Sequence, residues 1–210
     1  MSAPARPPLA PIPSVILAGG QSRRMGGGDK ALRMLGQRRL LDHVIDRASR
    51  QCTPLALNAN GDPERFAPCP LAVLTDTVTG HLGPLVGIHT AMGWAEGLGH
   101  DCVVTLAVDT PFFPEDLTAR LWAASEGQRP AIAARTGANG QVRPHPIFGL
   151  WPVALQPGLA DALARGDRRV TDWALAQGAS LVAFDEGEID PFFNINTPED
   201  LARAAGWLQP

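Results

Sequence analysis

A glycine-rich segment early in the chain combines backbone freedom with positive charge, the two properties that a polyphosphate site requires. Residues 17–30 read LAGGQSRRMGGGDK, with five glycines among residues 19–28. Glycine adopts backbone conformations that side chains forbid, and it lets N–H groups approach a phosphate closely. Arg23, Arg24 and Lys30 add cationic side chains to the same segment. We therefore predict that this segment binds a polyphosphate.

The segment matches neither of the two common nucleotide-binding motifs. A P-loop requires G-x-x-x-x-G-K-[ST], whereas Lys30 follows Asp29 and precedes Ala31. The dinucleotide fingerprint G-x-G-x-x-G is also missing, which argues against a dinucleotide-dependent oxidoreductase. A flexible surface loop with solvated arginines is the alternative interpretation. The position directly after a predicted buried strand favours binding.

Polar side chains end or follow three predicted strands. Asp109 comes directly after the apolar run Val103–Val108, and Asn58 and Asp76 stand at the ends of two other runs. Ligands of open parallel sheets bind beyond the carboxyl ends of the strands, so we expect these residues beside the glycine-rich segment. A carboxylate on a rigid strand end suits Mg²⁺, which prefers a few carboxylates with phosphate oxygens and water. The alternatives are a turn or helix cap for Asp109 and a strand-end turn for Asn58.

In the later part of the chain, five residues are candidates for contacts with a second substrate. His145 lies between two prolines, in a segment predicted to be extended. Asn194 and Asn196 alternate, so their side chains share one side if the segment is extended. Arg168 and Arg169 offer positive charge to an anionic substrate. The alternatives are a surface imidazole, a local turn before the next helix, and a solvated helix start.

Short apolar runs alternate with segments of helical periodicity, a pattern typical of repeated βα units around a mainly parallel sheet. The predicted strands are Ser14–Leu17, Leu55–Asn58, Ala72–Thr75, Val103–Val108, Ala131–Ala134, Ile147–Leu150 and Leu181–Phe184. The predicted helices are Leu40–Gln51, Pro84–Glu96, Glu115–Ser125, Val153–Arg165, Thr171–Gln177 and one that Thr197 caps before Pro198. We predict one Rossmann-like, three-layer α/β domain over residues 13–210, preceded by a disordered Pro-rich tail over residues 1–12.

Composition excludes several classes of function. A net charge of -3 argues against a general nucleic-acid binder, which would need an excess of Lys and Arg. No run of apolar residues is long enough to predict a membrane span, and the first residues lack the apolar stretch of a signal peptide. The three cysteines show no metal-binding spacing and are expected to be reduced thiols. We expect a monomer in the cytoplasm.

Taken in order, the motifs resemble those of the molybdenum cofactor guanylyltransferases, nucleotidyltransferases with a glycosyltransferase-A-like α/β fold. The opening segment 17–30 alone is shared across the wider superfamily. The resemblance covers about residues 14–205 and continues in Asn58-Ala59-Asn60, Asp76, Gly83-Pro84-Leu85-Val86-Gly87, Asp109-Thr110-Pro111, His145-Pro146, Arg168-Arg169-Val170 and Asn194-Ile195-Asn196-Thr197-Pro198.

The resemblance implies a reaction and a set of site residues. GTP and molybdenum-bound molybdopterin would give the guanine dinucleotide cofactor and pyrophosphate, with Mg²⁺ as cofactor and other proteins of the same biosynthesis as possible partners. The implied nucleotide contacts are Leu17, Ala18, Gly19, Gly20, Lys30, Asn58, Asp76 and Asp109. Asp109 would also bind the metal, and Lys30 and Arg24 would offset the charge that develops at the α-phosphate. His145 becomes a candidate contact for the pterin.

Gly20 bears on the choice of base. At the position before Gly20 this chain has glycine, in the sequence Leu-Ala-Gly-Gly. The similar cytidylyltransferase for the same pterin typically has alanine there, in the sequence Leu-Ala-Ala-Gly. We hypothesise that the missing methyl group makes room for a purine. A sister enzyme that uses CTP, or acts on another phosphate ester, is the nearest alternative. A module that binds GTP without turnover is a second one, and the co-occurrence of Lys30 and Asp109 argues against it.

Overall fold

The protein folds around a seven-stranded sheet. The computed structural model describes residues 11–19, 29–78, 83–125, 127–137 and 140–208. The strands are β1 (Ser14–Leu17), β2 (Met34–Leu35), β3 (Arg38–Arg39), β4 (Leu55–Asn58), β5 (Ala72–Leu74), β6 (Cys102–Ala107), β7 (Ala131–Thr136), β8 (Val142–Pro152) and β9 (Ser180–Asp185). The sheet order is β5-β4-β1-β6-β8-β7-β9, and β2 pairs with β3 in a small hairpin that the sequence did not predict.

Most strand pairs of the sheet are parallel, as predicted. Strand β1 pairs in parallel with β4 and β6, β4 with β5, and β7 with β9. Strand β6 is buried at every position, as a central strand between two helical layers should be. The carboxyl ends of β1, β4 and β6 therefore lie side by side, at the edge where the sequence predicted ligand binding.

The prediction for Ile147–Leu150 was wrong in extent, because these residues form only part of the longer strand β8. That strand runs antiparallel to both of its neighbours, β6 and β7. Only five residues separate β7 from β8 in the sequence, and a connection this short allows only antiparallel pairing. The N–H of Gly137, just after β7, donates to the carbonyl of Gln141, just before β8 (3.0 Å). Pro144 and Pro146 lie near the start of β8, and because proline is uncommon within strands, the sequence did not predict a strand there.

Helices cover both faces of the sheet, which confirms the layered α/β architecture. They are α1 (Leu40–Ser49), α2 (Pro84–Gly97), α3 (Leu117–Ser125), α4 (Gln156–Ala164), α5 (Val170–Ala176) and α6 (Pro198–Gly206), with 3₁₀ turns at Lys30–Leu32, Pro63–Phe66 and Val153–Leu155. Buried apolar residues of α1 and α3 belong to one core cluster and those of α2, α4 and α5 to a second, while Leu40 of α1 and Ala204 of α6 belong to a third. Among the described residues, no helix combines the length and apolar character that crossing a membrane requires.

Two predictions concern segments near the termini, the helix α6 and the Pro-rich tail. Thr197 caps α6 as predicted: its hydroxyl accepts from the N–H of Asp200 (3.1 Å), and the Asp200 carboxylate accepts from the N–H of Thr197 (2.9 Å). Most of the predicted tail, residues 1–10, lies outside the described ranges. Ile12, the last residue assigned to that tail, is buried in the core.

Candidate active site

A cavity of about 1000 Å³ opens at the carboxyl ends of β1, β4 and β6. Its lining includes Leu17, Ala18 and Gly19 after β1, together with Asn58, Asp76 and Asp109. The backbone itself supports this edge, because Ala18 N–H donates to the carbonyl of Asn58 (2.9 Å). Within the described part of the chain, a methyl group added at Gly19 would meet nothing within 4 Å. The cavity thus lies at the edge of the sheet where the sequence predicted ligand binding.

Lys30 forms an ion pair with Asp109, which lines this cavity. Lys30 Nζ donates to Asp109 Oδ2 at 2.6 Å, to Asn196 Oδ1 at 2.7 Å and to Asn194 Oδ1 at 3.3 Å. The side chains of Lys30 and Asp109 are 12% and 21% exposed, so the ion pair is largely shielded from water. Three oxygens from two distant segments thus converge on one cation. The alternating asparagines project to the same side, as predicted.

The local folding explains why these groups meet. Asp109 follows the buried strand β6, so its backbone is rigid. The N–H of Ile195 donates to the carbonyl of Asp109 (2.9 Å), and Ile195 is fully buried. That bond ties the segment with both asparagines to the end of β6. Lys30 begins a 3₁₀ turn whose N-cap is Asp29, which accepts from the N–H of Ala31 at 3.1 Å.

A second polar cluster lies at the ends of β4 and β5. Asn58 Nδ2 donates to Asp76 Oδ1 at 2.9 Å, and Asn60 Nδ2 donates to Asp76 Oδ2 at 2.6 Å. Asn60 Oδ1 in turn accepts from the N–H of Asp76 at 3.0 Å. Both oxygens of the Asp76 carboxylate are therefore held in fixed directions. Asn60 belongs to the motif Asn58-Ala59-Asn60, but the sequence predicted no role for it, although its position two residues after Asn58 was a usable signal.

Helix α2 packs against this cluster through a glycine. A Cβ atom added at Gly87 would lie 2.8 Å from Asn58 Oδ1 and 3.2 Å from Leu17 Cδ2. Real Cβ atoms do not approach so closely, so any larger residue would push Asn58 or the helix away. Gly87 thus sets the distance between α2 and the edge of the cavity.

The opposite end of the cavity is lined by β8. Arg143, His145 and Phe148 contribute to it, with Phe192 from the segment before the two asparagines. The His145 ring stacks on Phe192, with centroids 4.5 Å apart and planes 17° apart. Its Nε2 atom is buried and has no hydrogen-bond partner among the described residues. Burial lowers the pKa of His145 to about 4, although the nearby Asp190 carboxylate opposes this shift, so the ring is neutral at pH 7.

Not every predicted residue is brought to the cavity. Arg168 and Arg169 are exposed just before α5 and do not line it, and Arg169 pairs with Asp172 at 3.6 Å. This placement favours the alternative of a solvated helix start. Gly20 and Arg24 lie outside the described residues.

Side chains that could hold a metal ion do not cluster in the part of the chain that the structure describes. Within the described ranges, no three His, Cys, Asp or Glu residues form a group that would hold an ion. The three cysteines are free and buried. A metal at this site would therefore have to be held by few carboxylates, with ligands from the substrate.

Comparisons with known proteins agree with this geometry. The family model of the MobA-like NTP transferase domain matches residues 14–180. A molybdenum cofactor guanylyltransferase from Mesorhizobium japonicum is 49% identical over 203 residues, which cover 94% of this chain and 96% of that protein. Another, from a Bradyrhizobium species, is 46% identical over 198 residues, covering 92% of this chain and 91% of that protein.

Two solved structures share the fold. Molybdopterin-guanine dinucleotide biosynthesis protein A from Archaeoglobus fulgidus superposes with a TM-score of 0.72 at 22% identity, covering 93% of this chain and 98% of that one. A Mycobacterium tuberculosis protein solved in complex with manganese gives a TM-score of 0.62 at 15% identity, covering 94% and 99%. By its matching domain and its relatives, this chain belongs to the MobA-like NTP transferase family.

Proposed function

We propose that this protein is a molybdenum cofactor guanylyltransferase, which transfers GMP from GTP to molybdenum-molybdopterin and releases pyrophosphate. The observation that carries the proposal is the convergence of Lys30 on Asp109, Asn194 and Asn196, because Asp109 and Asn194 line the cavity. That cluster has a polar recess on one side and an aromatic recess on the other. The guanylyltransferase activity of relatives that are 46–49% identical supports the same assignment.

The GTP half of the cavity lies at the ends of β1, β4 and β5. The backbone at Leu17, Ala18 and Gly19, followed by Gly20, would border the phosphates, with Lys30 beside them. Asn58 and Asp76 would contact the nucleoside, because their polar groups are fixed and face the cavity. A guanine base and ribose offer both donors and acceptors to such a pair.

The reaction needs charge compensation more than it needs a general base. The attacking group is a phosphate oxygen of the acceptor, which is largely ionised at pH 7 because its second pKa is about 6. It bonds to the α-phosphorus as the bond from that phosphorus to the bridging oxygen of pyrophosphate breaks. Lys30 exchanges its bonds to the two asparagines for bonds to phosphate oxygens, and Arg24 adds a second positive charge. In-line placement of the two anions supplies the rest.

Asp109 is the residue that would hold a divalent cation, which we take to be Mg²⁺. The donor set fits such an ion, since a carboxylate oxygen and two amide oxygens already surround a cation, the Lys30 ammonium. When bound, the metal would neutralise charge on the α-phosphate and the departing pyrophosphate. The manganese complex of the M. tuberculosis relative is in keeping with a divalent ion.

The acceptor half lies along the start of β8. The neutral His145 ring, flat against Phe192, offers a stacked aromatic surface to a heterocycle such as a pterin. Arg143 at the rim would attract the acceptor's negative charge. Asn194 and Asn196 lie between the two halves and would contact both substrates. Arg168 and Arg169 remain candidates only if they move toward the cavity.

Product analysis tests the proposal. Purified protein, molybdenum-molybdopterin and Mg²⁺ are incubated with GTP, CTP or ATP, and pyrophosphate and the dinucleotide product are measured by mass spectrometry. We expect transfer with GTP and little with the other two. Equal use of CTP would instead identify the sister activity and refute the role given to Gly20 and its neighbour Gly19. Binding of GTP without pyrophosphate release would identify a binding module. We further propose that the enzyme acts as a cytoplasmic monomer, which light scattering of the active protein would check.

A further inference from the structure

Arg65 connects parts of the cavity that belong to different segments of the chain. It lies on the 3₁₀ turn Pro63–Phe66, between β4 and β5. Its guanidinium covers the buried Phe66 ring with a distance of 4.5 Å to the ring centroid. It donates through Nη1 to the carbonyl of Asp62 at 2.5 Å, and its side chain is 29% exposed. These two contacts hold the guanidinium in place independently of its bonds to the site.

One arm of Arg65 reaches the residue before Lys30. Arg65 Nε donates to Asp29 Oδ2 at 2.9 Å, and the Asp29 side chain is only 13% exposed. The other oxygen of Asp29 caps the 3₁₀ turn on which Lys30 lies. The ion pair therefore fixes the start of the turn that directs Lys30 to Asp109.

The other arm reaches the nucleoside cluster. Arg65 Nη2 donates to the carbonyl of Asn60 at 2.6 Å. The Asn60 side chain makes the two-bond contact with Asp76, and Asp76 accepts from Asn58. A continuous series of hydrogen bonds therefore runs from the base of the Lys30 turn to Asn58.

We propose that Arg65 is a positioning residue that holds the triphosphate half and the nucleoside half of the GTP site at a fixed separation. The inference rests on the proposed function, because it takes GTP as the ligand that spans both halves. Three of the five N–H groups of Arg65, one on each nitrogen, donate to the protein, and through these bonds Arg65 acts on Asp29 and Asn60 although it also lines the cavity. Lysine cannot replace it, because one ammonium group cannot direct three donors along these separate directions.

Ligands of different length distinguish this role from simple support of one half. Affinities of GTP, GMP and pyrophosphate are measured by calorimetry with Mg²⁺ for the wild type and for Arg65→Gln. A ligand that spans both halves gains from their fixed separation, whereas a ligand confined to one half does not. We expect GTP to lose about tenfold in affinity, as when one charged hydrogen-bonded contact is lost. GMP and pyrophosphate should each lose less than about threefold.

Two further variants serve as controls. Arg65→Lys keeps the charge without the three directed bonds, so it should lose nearly as much GTP affinity as Arg65→Gln. Arg120→Gln is a matched control: Arg120 covers the ring of Phe184 at 4.1 Å and donates to the carbonyl of Ala183, but it does not line the cavity. That variant should bind GTP as the wild type does. In steady-state kinetics, Arg65→Gln should raise the KM for GTP and leave the KM for the acceptor unchanged.

The outcomes separate this inference from the proposed function. If the wild-type protein does not bind GTP, the proposed function is wrong. If the wild type binds GTP and Arg65→Gln or Arg65→Lys binds it equally well, the inference alone is wrong. It is also wrong if pyrophosphate loses as much affinity as GTP, because Arg65 would then support only the Lys30 half.

Discussion

Replacement of Lys30 by methionine should change metal binding and turnover in opposite directions. The Lys30 ammonium lies 2.6 Å from the Asp109 carboxylate, where we propose that a divalent cation binds. In the wild type an entering ion must therefore compete with the lysine. Methionine has a similar length without the charge, so Lys30→Met leaves the Asp109 carboxylate free for the ion.

The size of the effect follows from the Lys30–Asp109 contact. A hydrogen bond to a charged group contributes about 1.5–3 kcal/mol. Both side chains keep some exposure, 12% and 21%, so water screens the pair and the lower value applies. About 1.4 kcal/mol corresponds to a tenfold change in affinity, so Mn²⁺ without nucleotide should bind Lys30→Met about tenfold more tightly. Turnover should fall about 10²–10³-fold, because one charge that stabilises the transition state is lost.

Two measurements check this prediction. Electron paramagnetic resonance of free Mn²⁺ gives the affinity, and pyrophosphate release gives kcat. Arg38→Met is the control, because Arg38 forms an ion pair of the same length, 2.6 Å, with Asp46 on the exposed surface. It should change neither quantity. A folded Lys30→Met protein that binds Mn²⁺ no better than the wild type, or that keeps its turnover, would refute the competition between the ammonium and the ion.

Three further predictions address the packing around the cavity. Gly87→Ala places a methyl group 2.8 Å from Asn58 Oδ1, so GTP binding measured by calorimetry should weaken about tenfold, while the far-UV spectrum stays unchanged. Thr105→Val removes the hydroxyl that accepts from Trp151 Nε1 at 2.8 Å, and urea unfolding should show a loss of about 1–3 kcal/mol; an unchanged midpoint would contradict this. His145 has its pKa lowered to about 4 from the ordinary 6.5, chiefly by burial, so the unfolded chain takes up a proton between these values that the folded protein does not. Wild-type stability should therefore fall from pH 7 to pH 5 by more than that of His145→Gln, and equal slopes in urea unfolding would show that the ring is not desolvated.

The strand-end residues were predictable because a parallel sheet aligns them. Asn58 and Asp109 end or follow runs that are almost entirely apolar, since β4 and β6 are covered on both faces. Once strands are assigned and taken as parallel, their carboxyl ends must lie at one edge. The lining of the cavity by Asn58, Asp76 and Asp109 follows from that rule alone.

The side-chain contacts across the cavity were not predictable in the same way. Lys30 and Asn196 are separated by 166 positions in sequence, and only the docking of the segment around Ile195 on β6 brings them together. Arg65 gave no signal in the sequence, because a lone arginine after a proline-led turn is typical of a solvated surface. Such contacts depend on directions of side chains that the pattern of apolar residues does not encode.

The direction of β8, which the sequence did not reveal, is what gives the cavity its second half. The register of β6 with β8 pairs Cys102 with Pro152 and Thr105 with Gly149, so later residues of β6 lie opposite earlier residues of β8. The carboxyl end of β6, where Asp109 follows, is therefore next to the start of β8, where His145 lies. A parallel strand in this place would put its start at the opposite edge of the sheet, and His145 would be far from Lys30. Because the strand is antiparallel, an aromatic recess adjoins the proposed triphosphate site, and two substrates can meet across the Lys30–Asp109 pair.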